Sequence, residues 1–168
     1  MTVLAVFSLI VAIFMTVVAQ GIEKIFIKEK MKLSEIEITQ LPKHGDHRGN
    51  LSVAEQLKDV PFDIKRCFWM YDVPEGKGRG GHAHKTLQQF VIPMNGSFKI
   101  TLDDGREKKT FFLDSPDKGL LIDTGIWADL TDFSKGAVCL VLASDVFKEE
   151  DYLGTYQEFN DFLSEKNK

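Results

Sequence analysis

Residues 76–96 read GKGRGGHAHKTLQQFVIPMNG, and this stretch decides the fold. Four glycines crowd Gly76 to Gly81, too many for a regular element, so the sequence predicts a loop there. His82 and His84 follow, two residues apart. On a strand they point to the same face, with side chains within about 7 Å of each other at ~3.3 Å rise per residue. Such a pair suits either of two tasks: chelating one metal ion, or dividing acid and base roles on one substrate. Phe90 to Met94 then reads as a strand.

Outward from this stretch the pattern stays strand-like, with a turn signal every eight to twelve residues or so. Ile36-Glu37-Ile38 alternates, Pro42 to Gly49 breaks the run, and Leu51 to Glu55 alternates again. Cys67 to Tyr71 (CFWMY) reads as a buried strand. Phe98 to Leu102, Lys109 to Leu113, Leu120 to Ile122 and Ala137 to Ala143 follow as further strands. Asp103-Asp104-Gly105 signals a hairpin turn. Only Glu149 to Lys168 looks helical, because Tyr152, Tyr156, Phe159 and Phe162-Leu163 recur at helical spacing. Many short strands and one terminal helix predict an all-β double-sheet sandwich or jelly roll with a short C-terminal α-helix. No repeat or second-domain linker interrupts it.

Composition agrees. The 168 residues are 43% hydrophobic, enough for a real core, and 13 Phe, 13 Gly and 5 Pro favour β structure with turns. A formal net charge of -4 with scattered basic residues gives no footprint for nucleic acid. Cys67 and Cys139 both sit in apolar runs, so buried free thiols are expected rather than a disulfide.

Residues 1–22 (MTVLAVFSLIVAIFMTVVAQGI) carry no charge and are about long enough to cross a bilayer. Three readings stand: a membrane anchor, a secretory signal lacking the usual basic start, or translated upstream sequence ahead of a start at Met31. The expected organisation is an apolar leader over 1–30 and a single domain over 31–168. Membrane contact is expected only if the leader is a true anchor.

Gly76, His82, His84 and Gly96 stand in the register of the cupin signature, whose fold is a jelly roll or double-stranded β-helix. The position of its metal-binding Glu holds Gln89, and Ala128 follows Trp127 where a further histidine is usual. Two imidazoles and a neutral amide make a poor home for Zn²⁺, Fe²⁺ or Mn²⁺, so no metal and no cofactor are expected.

A narrower resemblance spans nearly all of residues 40–160. It rests on His47-Arg48-Gly49, Pro61 to Arg66, Arg79 to Lys85, Gln88-Gln89, Gly96-Ser97, Leu102 to Gly105, Trp127, Phe133-Ser134 and Val141 to Ser144. This ordered set closely resembles the sugar 3,4-ketoisomerases of the WxcM-like cupin group. The resemblance implies a dTDP-4-keto-6-deoxyhexose substrate, a 3-keto product, nucleotide-sugar biosynthesis for surface glycans, a homodimer and no metal. Cytoplasmic placement is expected with it. Moving a ketone from C4 to C3 through an enediol needs proton transfer, which imidazoles perform near neutral pH. His82 and His84 are therefore the catalytic candidates: His84 as main shuttle with His82 as partner, or the reverse. Arg48, Arg66 and Arg79 are candidates for the diphosphate, since guanidinium groups meet phosphate oxygens in paired hydrogen bonds. Lys85, Gln89 and Trp127 complete the substrate-binding set.

Three features depart from the family. Phe68-Trp69 replace a tyrosine pair, Ala128 replaces a polar residue, and Gly154 replaces a basic one. They keep two rivals open: a non-catalytic nucleotide-sugar-binding cupin and a related nucleotide-sugar epimerase.

Overall fold

The structure, a computed structural model, describes residues 32–166. The apolar leader over 1–30 and the start at Met31 lie outside the described residues. Among the described residues, no helix is long and apolar enough to cross a membrane.

Among the described residues, twelve strands and one α-helix follow in chain order. They are β1 (Ile38–Gln40), β2 (Lys43–Asp46), β3 (Gly49–Ser52), β4 (Arg66–Met70), β5 (Arg79–His84) and β6 (Gln89–Asn95). Then come β7 (Phe98–Asp103), β8 (Lys108–Leu113), β9 (Lys118–Ile122), β10 (Trp127–Thr131), β11 (Val138–Ala143), β12 (Tyr152–Leu153) and α1 (Tyr156–Lys166). Two five-stranded antiparallel sheets face each other, ordered β1-β9-β6-β11-β4 and β12-β5-β10-β7-β8. This is the cupin jelly roll with its C-terminal helix.

Alternation builds the core between the sheets. On β7, Phe98, Ile100 and Leu102 point inward while Lys99 and Thr101 face away. They meet Val91, Leu120, Ile122, Cys139 and Val141 from the opposite sheet. Each such large side chain, fully buried, contributes about 1.5–3 kcal/mol. β6 reads as an unbroken apolar run because both its faces are covered. Val91 enters the main core, while Phe90 and Ile92 lie under Ala54, Val60, Phe62 and Ile64 on the outer face.

Several expectations need correction. The glycine loop ends early, since Arg79, Gly80 and Gly81 already belong to β5. Gly80 and Gly81 take positive φ (82° and 73°) at a register shift against β10, so they form a bulge instead of ending the strand. A Cβ on Gly80 would run into the Ala128 carbonyl oxygen. Pro42 to Gly49 is not only a break: β2 and β3 pair as a ribbon whose residues are all exposed, and the alternating run from Leu51 overlaps β3 only at Leu51-Ser52. β10 also carried no clean period, because four of its five residues are buried or half-buried in succession. Cys67 is exposed, since β4 is an edge strand whose alternation turns Cys67 and Trp69 outward; Cys139 is buried as expected.

The predicted C-terminal helix starts later than Glu149. A 3-10 turn (Glu149–Asp151) and β12 precede it, and Thr155 caps it. The Glu158 amide donates to Thr155 Oγ1 at 3.2 Å, and Thr155 N–H donates to Glu158 Oε2 at 3.0 Å, a reciprocal capping box. Phe159, fully buried, docks the helix on Ala83, Trp127 and Leu153.

Candidate active site

β5 carries both histidines into the space beside the inter-sheet core. Their rings stand edge to face, centroids 5.0 Å apart with planes at 89°. His84 is buried at 4% exposure, whereas His82, nearer the bulge, is half-buried.

Both ring nitrogens of His84 have neighbours. Nδ1 lies 3.0 Å from Oδ2 of Asp151, and Nε2 lies 3.3 Å from the Gln89 amide nitrogen. Asp151 reaches this position because β12 pairs with β5, setting Tyr152 opposite His84. Its carboxylate also accepts from Thr86 N–H (2.8 Å), Thr86 Oγ1 (2.6 Å) and Leu87 N–H (3.3 Å). Burial alone would raise the Asp151 carboxyl, but the Thr86 and His84 donors outweigh it and hold it below the usual range. His84 is pushed down to about 4, first by burial and then by His82, against the opposing pull of Asp151. At neutral pH this gives a neutral His84 beside an ionised Asp151. The Nδ1 proton then points at the carboxylate, and the Nε2 lone pair accepts from Gln89.

Tyr152 closes the group. Its ring centroid sits 4.3 Å from that of His84 and 5.0 Å from that of His82. Phe147, exposed, packs 5.6 Å from Tyr152 and continues the aromatic wall outward.

Arg66 enters from the opposite sheet. It lines one small cavity with His84, Asp151 and Tyr152. Its guanidinium lies 5.1 Å from the Phe68 ring centroid and 5.6 Å from that of Phe147. Among the described residues its Nε is buried without a hydrogen-bond partner.

The remaining candidates stand elsewhere. Arg48 sits at the tip of the β2–β3 ribbon, paired with Asp46 at 2.6 Å. Arg79 is exposed at the start of β5. The Lys85 ammonium donates to the Glu150 carbonyl at 2.7 Å, tying the end of β5 to the 3-10 turn. Trp127 is packed against Tyr156 and Phe159, and its indole N–H donates to Asp129 at 3.0 Å. The structure thus brings together His82, His84, Gln89 and Arg66, and adds Asp151, Tyr152 and Phe147, to which sequence reasoning gave no role. Asp151 lies 67 residues from its histidine, so no local spacing announces it.

As a metal site the arrangement fits poorly. Asp151 takes the Nδ1 side of His84, and Nε2 faces an amide. Among the described residues, no group of three His, Cys, Asp or Glu could hold a metal ion.

The family described as FdtA, WxcM-like, C-terminal, matches residues 34–164. The chain belongs to that family. This WxcM-like protein is 38% identical over 133 residues to the TDP-4-oxo-6-deoxy-alpha-D-glucose-3,4-oxoisomerase of Aneurinibacillus thermoaerophilus, covering 79% of this chain and 96% of the relative. It is 42% identical to a 3,4-ketoisomerase from Helicobacter canadensis, with TM-score 0.75, covering 77% of this chain and 98% of that one. A histidine-to-asparagine mutant of the 3,4-ketoisomerase QdtA from Thermoanaerobacterium thermosaccharolyticum was solved with TDP-4-keto-6-deoxyglucose. The WxcM-like chain is 36% identical to it, with TM-score 0.76, covering 80% of this chain and 98% of that one.

Proposed function

We propose that this protein is a metal-independent sugar 3,4-ketoisomerase, converting a dTDP-4-keto-6-deoxyhexose to its 3-keto isomer. The observation that carries this reading is the His82–His84 pair, one ring buried and held and the other half-open, within a chain of this family.

The chemistry moves two protons and no other atoms. A base removes the C3 proton, the electron pair forms the C3=C4 bond, and the C4 carbonyl oxygen gains a proton to give the enediol. The O3 proton then leaves as C3=O forms, and C4 takes a proton. Of the two imidazoles, His82 has the freer ring, because both nitrogens of His84 are engaged. The geometry therefore favours the reverse of the first-named assignment: His82 as proton shuttle and His84 as its partner. Gln89 holds His84 from the Nε2 side. The guanidinium of Arg66, which lines one cavity with His84, suits an anionic oxygen of the diphosphate or of the enediolate. Arg79, at the mouth of β5, is placed to meet phosphate from solvent.

Residues 31–168 form the working domain in this reading, and the cytoplasm, where nucleotide sugars are made, is its site of action. A homodimer accompanies it. Among the described residues the β2–β3 ribbon bonds to neither sheet and displays Arg48 and Leu51, as an arm that lies against a second copy would.

One observation favours a second reading. Phe68 lies under Arg66 without a hydroxyl, and Ala128 pairs with His82 without a polar group, as a site that binds the nucleotide sugar without turning it over would have them. Incubating the full chain with TDP-4-keto-6-deoxyglucose and resolving products by NMR separates the two. A new 3-keto sugar supports the isomerase, and ligand broadening with no product supports the binder.

A further inference from the structure

The carboxylate of Asp151 is the most heavily bonded polar group at the site. It receives four donors: two backbone N–H groups, one hydroxyl and one ring nitrogen of His84. Asp151 is itself buried at 7% exposure. Its own carbonyl accepts from Lys85 N–H at 2.9 Å, so its backbone is tied to the same end of β5. Three of those donors could be explained as the closing of the Thr86–Leu87 turn. The fourth could not, because an imidazole is not needed to close a turn.

Resting on the ketoisomerase reading above, we infer that Asp151 is a positioning residue. It fixes His84 as the Nδ1–H tautomer and so sets the ring against which His82 packs. An acceptor-only carboxylate at Nδ1 leaves one arrangement for a neutral imidazole: the proton on Nδ1 and the lone pair on Nε2. Gln89 meets that lone pair with an amide N–H, so the ring cannot flip without losing both bonds. Tyr152, the next residue, closes on both rings, so a single short segment sets tautomer and packing together. Loss of the carboxylate lets His84 rotate or change tautomer, and the face offered to His82 then varies from molecule to molecule. The reacting geometry suffers, while Arg66 and Arg79 keep their places on β4 and β5.

The test uses the full chain labelled with ¹⁵N-histidine, read by long-range ¹H–¹⁵N correlation at pH 7 without substrate, together with kinetics. The wild type is expected to show His84 as the Nδ1–H tautomer. Asp151→Ala is expected to give a mixed or Nε2–H signature, a loss of kcat of about 10- to 100-fold and a KM within a few-fold. Asp151→Asn keeps an acceptor oxygen, so it is expected to restore part of both the tautomer signature and kcat. A wild-type His84 that is Nε2–H or doubly protonated would overturn the inference. So would an Asp151→Ala protein that keeps the wild-type signature, or one whose loss lies wholly in KM. If the wild type turns over no keto-sugar, the functional reading fails and the tautomer signatures alone decide the role of Asp151.

Discussion

His82 and His84 lie on the same face of β5 with rings 5.0 Å apart, yet only His84 is buried. The bulge at Gly80-Gly81 falls just before His82, where the register against β10 shifts, so His82 stands next to the irregular part of the strand and His84 in its regular part. One histidine is thereby held by Asp151 and Gln89 and the other left free to meet a substrate. The two should therefore fail differently. His82→Asn is expected to cost 10²–10⁴-fold in kcat, the usual span for a positioned acid or base. His84→Asn is expected to cost less, about 10-fold or more, through misplacement of His82. Initial rates by NMR for both variants check the order.

The low pKa of His84 makes stability depend on pH. The unfolded chain binds this proton with the ordinary imidazole pKa of 6.5, the folded one only at about 4. His84 therefore contributes stability fully above pH 6.5, and that contribution falls away as the pH drops toward 4. At pH 5 the loss is about 2 kcal/mol from this group. Urea unfolding at pH 7 and pH 5 should show it, and His84→Asn should flatten that part of the profile.

Phe159 pins the terminal helix. It is fully buried against Ala83, Trp127 and Leu153, and Ala83 lies between the two histidines in sequence. Phe159→Ala is expected to cost about 3–5 kcal/mol. Denaturant titration reads the loss directly.

Arg66 lines one cavity with His84, and among the described residues its Nε has no hydrogen-bond partner. Arg66→Lys keeps a charge but loses the planar fork, so TDP should bind about 10-fold more weakly or worse. Calorimetric titration with TDP measures this.

The donor set argues against metal chemistry, so the rate should be indifferent to chelation. Overnight dialysis against EDTA is expected to leave turnover unchanged, and added Zn²⁺ or Mn²⁺ should not raise it.

Much of this was legible in the sequence, for physical reasons. Alternating strands such as β7 announce themselves, because one face is dry and the other wet. The H-x-H pair is local, so its shared face follows from the two-residue period alone. What stayed hidden was non-local or aperiodic. The β2–β3 ribbon has no buried face to produce alternation, and β10 is covered on both sides. The partners of His84 come from different elements: Asp151 precedes β12, while Gln89 opens β6 in the opposite sheet. Trp127 was placed in the substrate-binding set, and its register opposite Asp103 sets it under α1.

The most direct test of the central claim is proton NMR of the full chain with TDP-4-keto-6-deoxyglucose in D₂O. The account predicts loss of the substrate C3 proton signal and growth of a 3-keto product, both lost in His82→Asn. A wild-type spectrum that never changes, or a His82→Asn protein that turns over at the wild-type rate, would contradict it.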